Sequence, residues 1–259
     1  MPNYVLNSFM KVSQPNRLKS LIKNDKGDID FNVICPMPED LNTTDGDASL
    51  ISKDYYQYVN RAKDLKEYIS LINKELSLNI PLVTDGMQLF EMNLPKQEEQ
   101  RAKSVYTTWN YLKYGEVGWY DWRKKNWGCK WNACDCSEWE FQTPWCTPYQ
   151  WLEKLAKKCD FILLFADEDI GSNCGVYVAK DGELEEYYND ICTNESTVFA
   201  CTLQGYDLKE YAEGFDEEKT REEFREMYEN REELLRNFFV NLGCEYVYDE
   251  IGKDLKSCV

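Results

Sequence analysis

Phe161-Ile162-Leu163-Leu164-Phe165-Ala166, followed by Cys174–Ala179, Leu184–Ile191 and Val198–Leu203, decides the fold class. Each run is short, apolar or alternating, and bounded by turn residues, as strands are. Lys180-Asp181-Gly182-Glu183 supplies an Asp-Gly hairpin turn between the second and third runs. Four such runs predict an antiparallel meander. Working outward, Tyr4–Val12 and Asp30–Cys35 read as two more strands, with a short helix over Pro15–Lys23 between them. Val59, Ala62, Leu65, Ile69, Ile72 and Leu76 mark one face of a helix from about Asp54 to Leu78. A second helix starts near Pro95 and stops at Gly115, with a polar loop around Thr84-Asp85-Gly86 before it. Thr147-Pro148-Tyr149-Gln150 has the form of a capping box for a third, whose buried stripe is Trp151, Leu152, Leu155 and Cys159. The tail predicts one long helix, capped by Asp216 and closed by Gly243, with a last short strand over Glu245–Ile251. The sum is an α+β protein with a mostly antiparallel sheet, packed helices and an acidic C-terminal helix.

The 259 residues include 47 Asp+Glu, 30 Lys+Arg, 11 cysteines and no histidine, for a net charge of −17. That chain is long enough to bury a core without disulfide staples. Lacking histidine, it has no Ser-His or Cys-His nucleophile pair, no His-ligated zinc and no imidazole base. With no phosphate-binding loop or nucleophile elbow either, the expectation is a non-enzymatic protein without cofactor. The longest apolar run is far short of a membrane span, and the N-terminus lacks a signal-peptide pattern. A cytoplasmic protein with free thiols is expected.

The charge is segregated. Met1 to Cys159 holds 21 acidic and 21 basic residues, whereas Asp160 to Val259 holds 26 acidic and 9 basic. Such a half repels phosphate backbones and attracts basic surfaces. The expected partner-binding residues are Glu217, Glu218, Glu222, Glu226, Glu229 and Glu233, with Asp167, Glu168 and Asp169 as a second patch. A solvated face is the plainer account of the same glutamates.

Trp119 to Trp151 holds seven of the eight tryptophans. Within it, Trp122, Arg123, Lys124, Lys125 and Trp127 interleave bases and aromatics, the mix with which single-strand binders stack bases and hold phosphates. An aromatic core covered by Lys and Arg stems is the competing account. Cys129, Cys134, Cys136 and Cys146 lack the paired C-x2-C knuckles of a zinc ribbon, so no metal site is expected there. Asp167 and Asp169 open a weaker third reading, a metal-dependent hydrolase.

Met1-Pro2-Asn3-Tyr4, Phe31–Glu39, Tyr120–Arg123, Asn126–Ala133 and Phe141–Pro148 together resemble the YubB-type ferredoxin-like proteins of phages and plasmids, with a fainter echo at Asp167–Gly175. Cys129 stands where that family usually has Thr, and Pro144-Trp145-Cys146-Thr147 where it often has Ala-Trp-Ser-Pro. The resemblance spans roughly residues 1–180. It implies a ferredoxin-like sheet and a mobile-element origin, and supplies no catalytic residues. The division it leads to is a domain over 1–206 and an acidic helical extension over 207–259. Joined to the charge pattern, it leads to an inhibitor of a bacterial defence protein, such as a CRISPR effector or another defence nuclease, acting in the host cytoplasm on a nucleic-acid-binding surface. The alternative is a nucleic-acid or nucleotide-binding protein using the Trp119–Trp131 segment.

Overall fold

The computed structural model describes residues 3–44, 46–135, 137–214 and 217–256. They form two compact units, one of residues 1–35 and 127–259, the other of residues 36–126. The division therefore falls inside the expected 1–206 domain, and the acidic tail belongs to the first unit.

The first unit is built on six strands: β1 (Tyr4–Val12), β2 (Cys134–Asp135), β3 (Glu140–Pro144), β4 (Phe161–Asp167), β5 (Cys174–Lys180) and β6 (Glu183–Asn189). Their order is β2-β3-β1-β4-β5-β6, and every neighbouring pair is antiparallel. Helix α7 (Tyr149–Ala156) links β3 to β4 while β1 lies between them. That arrangement is a split βαβ unit. The β5–β6 hairpin turns on Asp181 and Gly182, both at positive φ (53° and 88°), as a type I′ turn demands.

Alternation along the strands gives the sheet two different faces. Leu164, Ala166, Cys174 and Val176 point to a core shared with α8 (Asn194–Gln204), α11 (Arg231–Asn241) and α12 (Glu245–Lys256). On the other face the fully buried rings of Phe31, Trp127, Phe141 and Trp151 pack together at centroid distances of 4.7–6.1 Å. Trp127 also donates through its indole nitrogen to the Cys35 carbonyl at 2.9 Å. Helix α1 (Pro15–Ile22) adds Leu18 and Ile22 to the buried residues.

Several sequence expectations change. Asp30–Cys35 holds a 3-10 turn over Phe31–Val33, because the Asp30 carboxylate accepts from the Asn32 amide and curls the chain. Val198–Leu203 lies in α8, where Thr193 and Ser196 form a reciprocal capping box; every residue from Ser196 to Leu203 is buried, so no period was visible. Glu245–Ile251 is helical, with Val247, Ile251 and Leu255 buried at spacings of four. After a short helix α9 (Leu208–Glu213), the single tail helix is two, α10 (Glu218–Glu229) and α11, separated at Asn230. Asp216, its expected cap, lies outside the described residues. Gly243 does follow α11 in the left-handed conformation (φ 77°). The tail packs and does not project, since Met227, Leu235, Phe238 and Phe239 join the core of α8 and the sheet.

The second unit has its own core of Tyr58, Tyr68, Ile72, Val105, Tyr106 and Trp109. The helix expected over 54–78 is broken into α2 (Tyr56–Val59) and α3 (Leu65–Leu76), because Asp64 adopts an extended conformation and caps α3 by accepting from the Glu67 amide. Thr84-Asp85-Gly86 leads into α4 (Gly86–Glu91), and Asp85 is its N-cap. Helix α5 (Lys96–Tyr114) starts after Pro95 and ends at Gly115, as expected. Asp40 ties it down, accepting from the Trp109 indole at 2.7 Å and the Tyr114 hydroxyl at 2.8 Å. Trp119–Asn126 forms α6.

Candidate functional site

The acidic tail presents a fixed surface. On α10, Phe224, Met227 and Tyr228 pack against the core, which turns the intervening glutamates outward. Glu217, Glu218, Glu222, Glu226, Glu229 and Glu233 are all exposed. Glu218 pairs with Arg221 and Arg225. Glu222, Glu226 and Glu229 have no cation partner among the described residues. Their spacing, i, i+4 and i+7, aligns them on one face of the helix.

The second acidic patch is different. Glu168 and Asp169 are exposed, but Asp167 is only 4% exposed and is not a surface group. One of its oxygens accepts from the Asn3 amide at 3.3 Å and the Asp169 backbone at 2.9 Å, the other from Asn173 Nδ2 at 2.8 Å. The same Asn173 Nδ2 reaches the Trp145 carbonyl at 3.2 Å, and the Trp145 amide donates to the Asn3 carbonyl at 2.8 Å. Asp167 is thus the buried centre of a network that positions the exposed Trp145. It offers no open metal position, and no group of three or more potential metal ligands occurs among the described residues.

Trp145 itself is held at φ 63°, a conformation that a bulky side chain rarely adopts. Its ring is 51% exposed and stands at the edge of a cleft of about 530 Å³. The floor of that cleft is the outer end of β4, β5 and β6. In one cross-strand row Phe165 pairs with Gly175 and Gly175 with Tyr188. With no side chain at Gly175, the Phe165 and Tyr188 rings stack above it at 6.3 Å and 12°. A Cβ there would overlap the Tyr187 carbonyl and crowd the Phe165 ring at 3.0 Å. In the next row Tyr177 pairs with Glu186, and its hydroxyl donates to one carboxylate oxygen. Tyr149, from the start of α7, closes the wall 5.9 Å from Tyr177.

Thr147 also lines this cleft, but the expected capping box does not form. The N-cap of α7 is Pro148, with no side-chain hydrogen bond. The Thr147 hydroxyl, on a residue 6% exposed, has no hydrogen-bond partner. Gly128 (φ 93°) explains the displacement: its backbone crosses so close to α7 that a Cβ would overlap Gln150 Oε1 and stand 2.9 Å from the Tyr149 nitrogen. Gln150 therefore faces Gly128.

The basic-aromatic segment splits. Trp122 and Trp127 are buried and present no ring face to a base. Arg123 lies over Trp119 at 4.9 Å and reaches the Met37 sulfur, Lys124 lies over Tyr120, and Lys125 pairs with Glu116. Cys134 and Cys146 are exposed, Cys129 is buried, and Cys136 lies outside the described residues. The nine described cysteines are free thiols. No helix among the described residues is long and apolar enough to cross a membrane.

The strand order and the split βαβ unit agree with a comparison against family models. Residues 126–231 match a ferredoxin-like domain in Api92-like protein. The matched span begins at Asn126, so it holds β2 to β6 but not β1, the strand that joins β3 to β4. The fold class is α+β and ferredoxin-like, as expected. Among curated proteins and among solved structures, none matches the chain.

The cleft was missed from sequence, although a signal existed. Glu186 and Tyr188 alternate on β6 opposite Tyr177 and Gly175 on β5, which period two places on one face. What the sequence does not carry is that α7 leaves this end of the face uncovered.

Proposed function

We propose that this chain is a non-enzymatic binding protein that docks its acidic face on a basic, nucleic-acid-handling surface of another protein. The observation that carries the reading is the set of exposed glutamates without cation partners on α10, fixed by the packed stripe behind them. Fixed charge of one sign speeds encounter with an opposite surface and excludes polyanions from the same contact. The resemblance to phage and plasmid proteins supports a bacterial defence protein as the partner, in a host cytoplasm. Stacking of a nucleic acid on Trp122 and Trp127 is the less favoured reading, since both rings are buried.

The test is capture from lysates of defence-carrying bacteria at low and moderate salt, with wild-type protein and with Glu222, Glu226, Glu229 and Glu233 all changed to Lys. A nucleic-acid-handling protein retained by the wild type, released by a competing oligonucleotide and lost from the variant is the expected result. Capture indifferent to both the variant and the oligonucleotide would overturn the reading.

A further inference from the structure

The cleft beside α7 differs from the acidic face in kind: it is concave, aromatic, and carries a single charged group. Its accessible rings are Tyr188 and Tyr149, with Trp145 at the rim and the buried Phe165 and Tyr177 behind them, and Glu186 is the one carboxylate among the described lining residues. No lysine or arginine lines it, the nearest ammonium standing outside at the Trp145 rim, so a phosphate placed beside Glu186 would meet like charge. Cations fit better on two counts. Ring faces attract them, and outside the rim the Lys130 ammonium lies over Trp131 at 4.7 Å and 5.9 Å from the Trp145 centroid. The local field is also negative: the Tyr149 and Tyr188 hydroxyls are both raised above the ordinary tyrosine range, first by burial and then by Glu153, Asp190 and Glu186 around them.

The hydrogen-bonding groups narrow the class. Glu186 accepts from Tyr177 through one oxygen, which leaves the other for a ligand. Thr147, buried in the wall, holds a hydroxyl with no partner. A flat group that only donates, stacks on rings and meets a carboxylate is a guanidinium. The rare backbone conformation at Trp145, held by the Asp167 and Asn173 network, is the cost of keeping that rim in place.

We infer that the cleft receives the guanidinium group of an arginine side chain presented by the partner protein, between the aromatic faces and the Glu186 carboxylate. The inference rests on the proposed basic partner and deepens it: the acidic face supplies encounter, the cleft a specific anchor.

The intact protein is titrated with the blocked tripeptide Gly-Arg-Gly, its Gly-Lys-Gly counterpart and adenosine monophosphate, followed by NMR chemical shifts. The arginine peptide is expected to bind in the millimolar range, at least about threefold tighter than the lysine peptide. Glu186→Gln, an exposed and fold-neutral change, should weaken it roughly tenfold. Tyr188→Ala should weaken it as well. Charge reversal on α10 should leave it unchanged. Preference for adenosine monophosphate, no arginine binding at about 20 mM peptide, or equal binding by Glu186→Gln would overturn the inference. If lysate capture depends on the α10 glutamates but not on Glu186, the inference fails and the acidic-face reading stands.

Discussion

Phe199→Ala tests whether the acidic tail is part of the folded core. Phe199 on α8 is fully buried, 4.1 Å from Phe238 at an interplanar angle of 15° and 5.7 Å from Phe239 at 81°. Removing an enclosed Phe side chain costs about 3–5 kcal/mol. The upper half is expected, because two aromatic neighbours on α11 lose their partner at once, each pair worth about 0.5–1.5 kcal/mol beyond burial. At about 2–4 °C per kcal/mol for a chain of this size, Tm should fall by roughly 8–20 °C. Urea unfolding followed by far-UV circular dichroism measures the loss. Phe90→Ala is the control, since Phe90 is 69% exposed and its removal should change stability by about 0.5 kcal/mol or less. Phe238→Ala and the double variant complete a cycle whose coupling term should be clearly non-zero. A loss below about 1 kcal/mol for Phe199→Ala, with an unchanged m-value, would refute the packing of α11 on α8. The glutamates would then sit on a loose arm and present no fixed surface.

Alkaline pH should destabilise the protein through its buried thiols. Burial pushes Cys174 and Cys201 up to about 12, from an ordinary value of 9.0. Below pH 9 both states keep these protons, and the full stability is present. Between about 9 and 12 the unfolded chain gives them up while the folded one holds them, so stability falls by up to about 1.4 kcal/mol per pH unit for each thiol. Urea midpoints at a series of pH values measure the decline, and a flat profile over that window would contradict the burial. Asp167→Ala strands the Asn3 and Asn173 amides and should cost about 1–3 kcal/mol. Tryptophan fluorescence should show Trp145 loosened, with Asp167→Asn intermediate in both respects.

How much of this was legible in the sequence depended on whether one competing force decided each element. β1, β4, β5 and the Asp-Gly hairpin were readable because strand period, turn residues and burial agree there. The split βαβ connection was not, because strand order is a property of pairings between residues more than 130 apart, such as Asn7 with Phe141. α8 was read as a strand because burial on all sides erases the helical period, and only its Thr193 cap distinguished it. Of the candidate residues, the exposure of the glutamates was predictable from charge alone, whereas Asp167 was misplaced outside. Three acidic residues in a row look solvated until Asn3 and Asn173, distant in sequence or locally in a left-handed turn, arrive as donors. Thr147 illustrates the opposite failure, a correct cap pattern overridden by the close approach of Gly128.

The central place of β1 also sets a timetable. Its partners β3 and β4 begin at Glu140 and Phe161, so a chain made at about 5–20 residues per second must wait roughly 6–26 seconds before the first strand has anything to pair with. During that interval its edges are open, and the sheet can close only as a late, long-range event. Residues 36–126, compact around a core of their own, emerge within that same interval. Their insertion after the first strand and helix gives the growing chain something local to fold while its oldest strand is still unmatched.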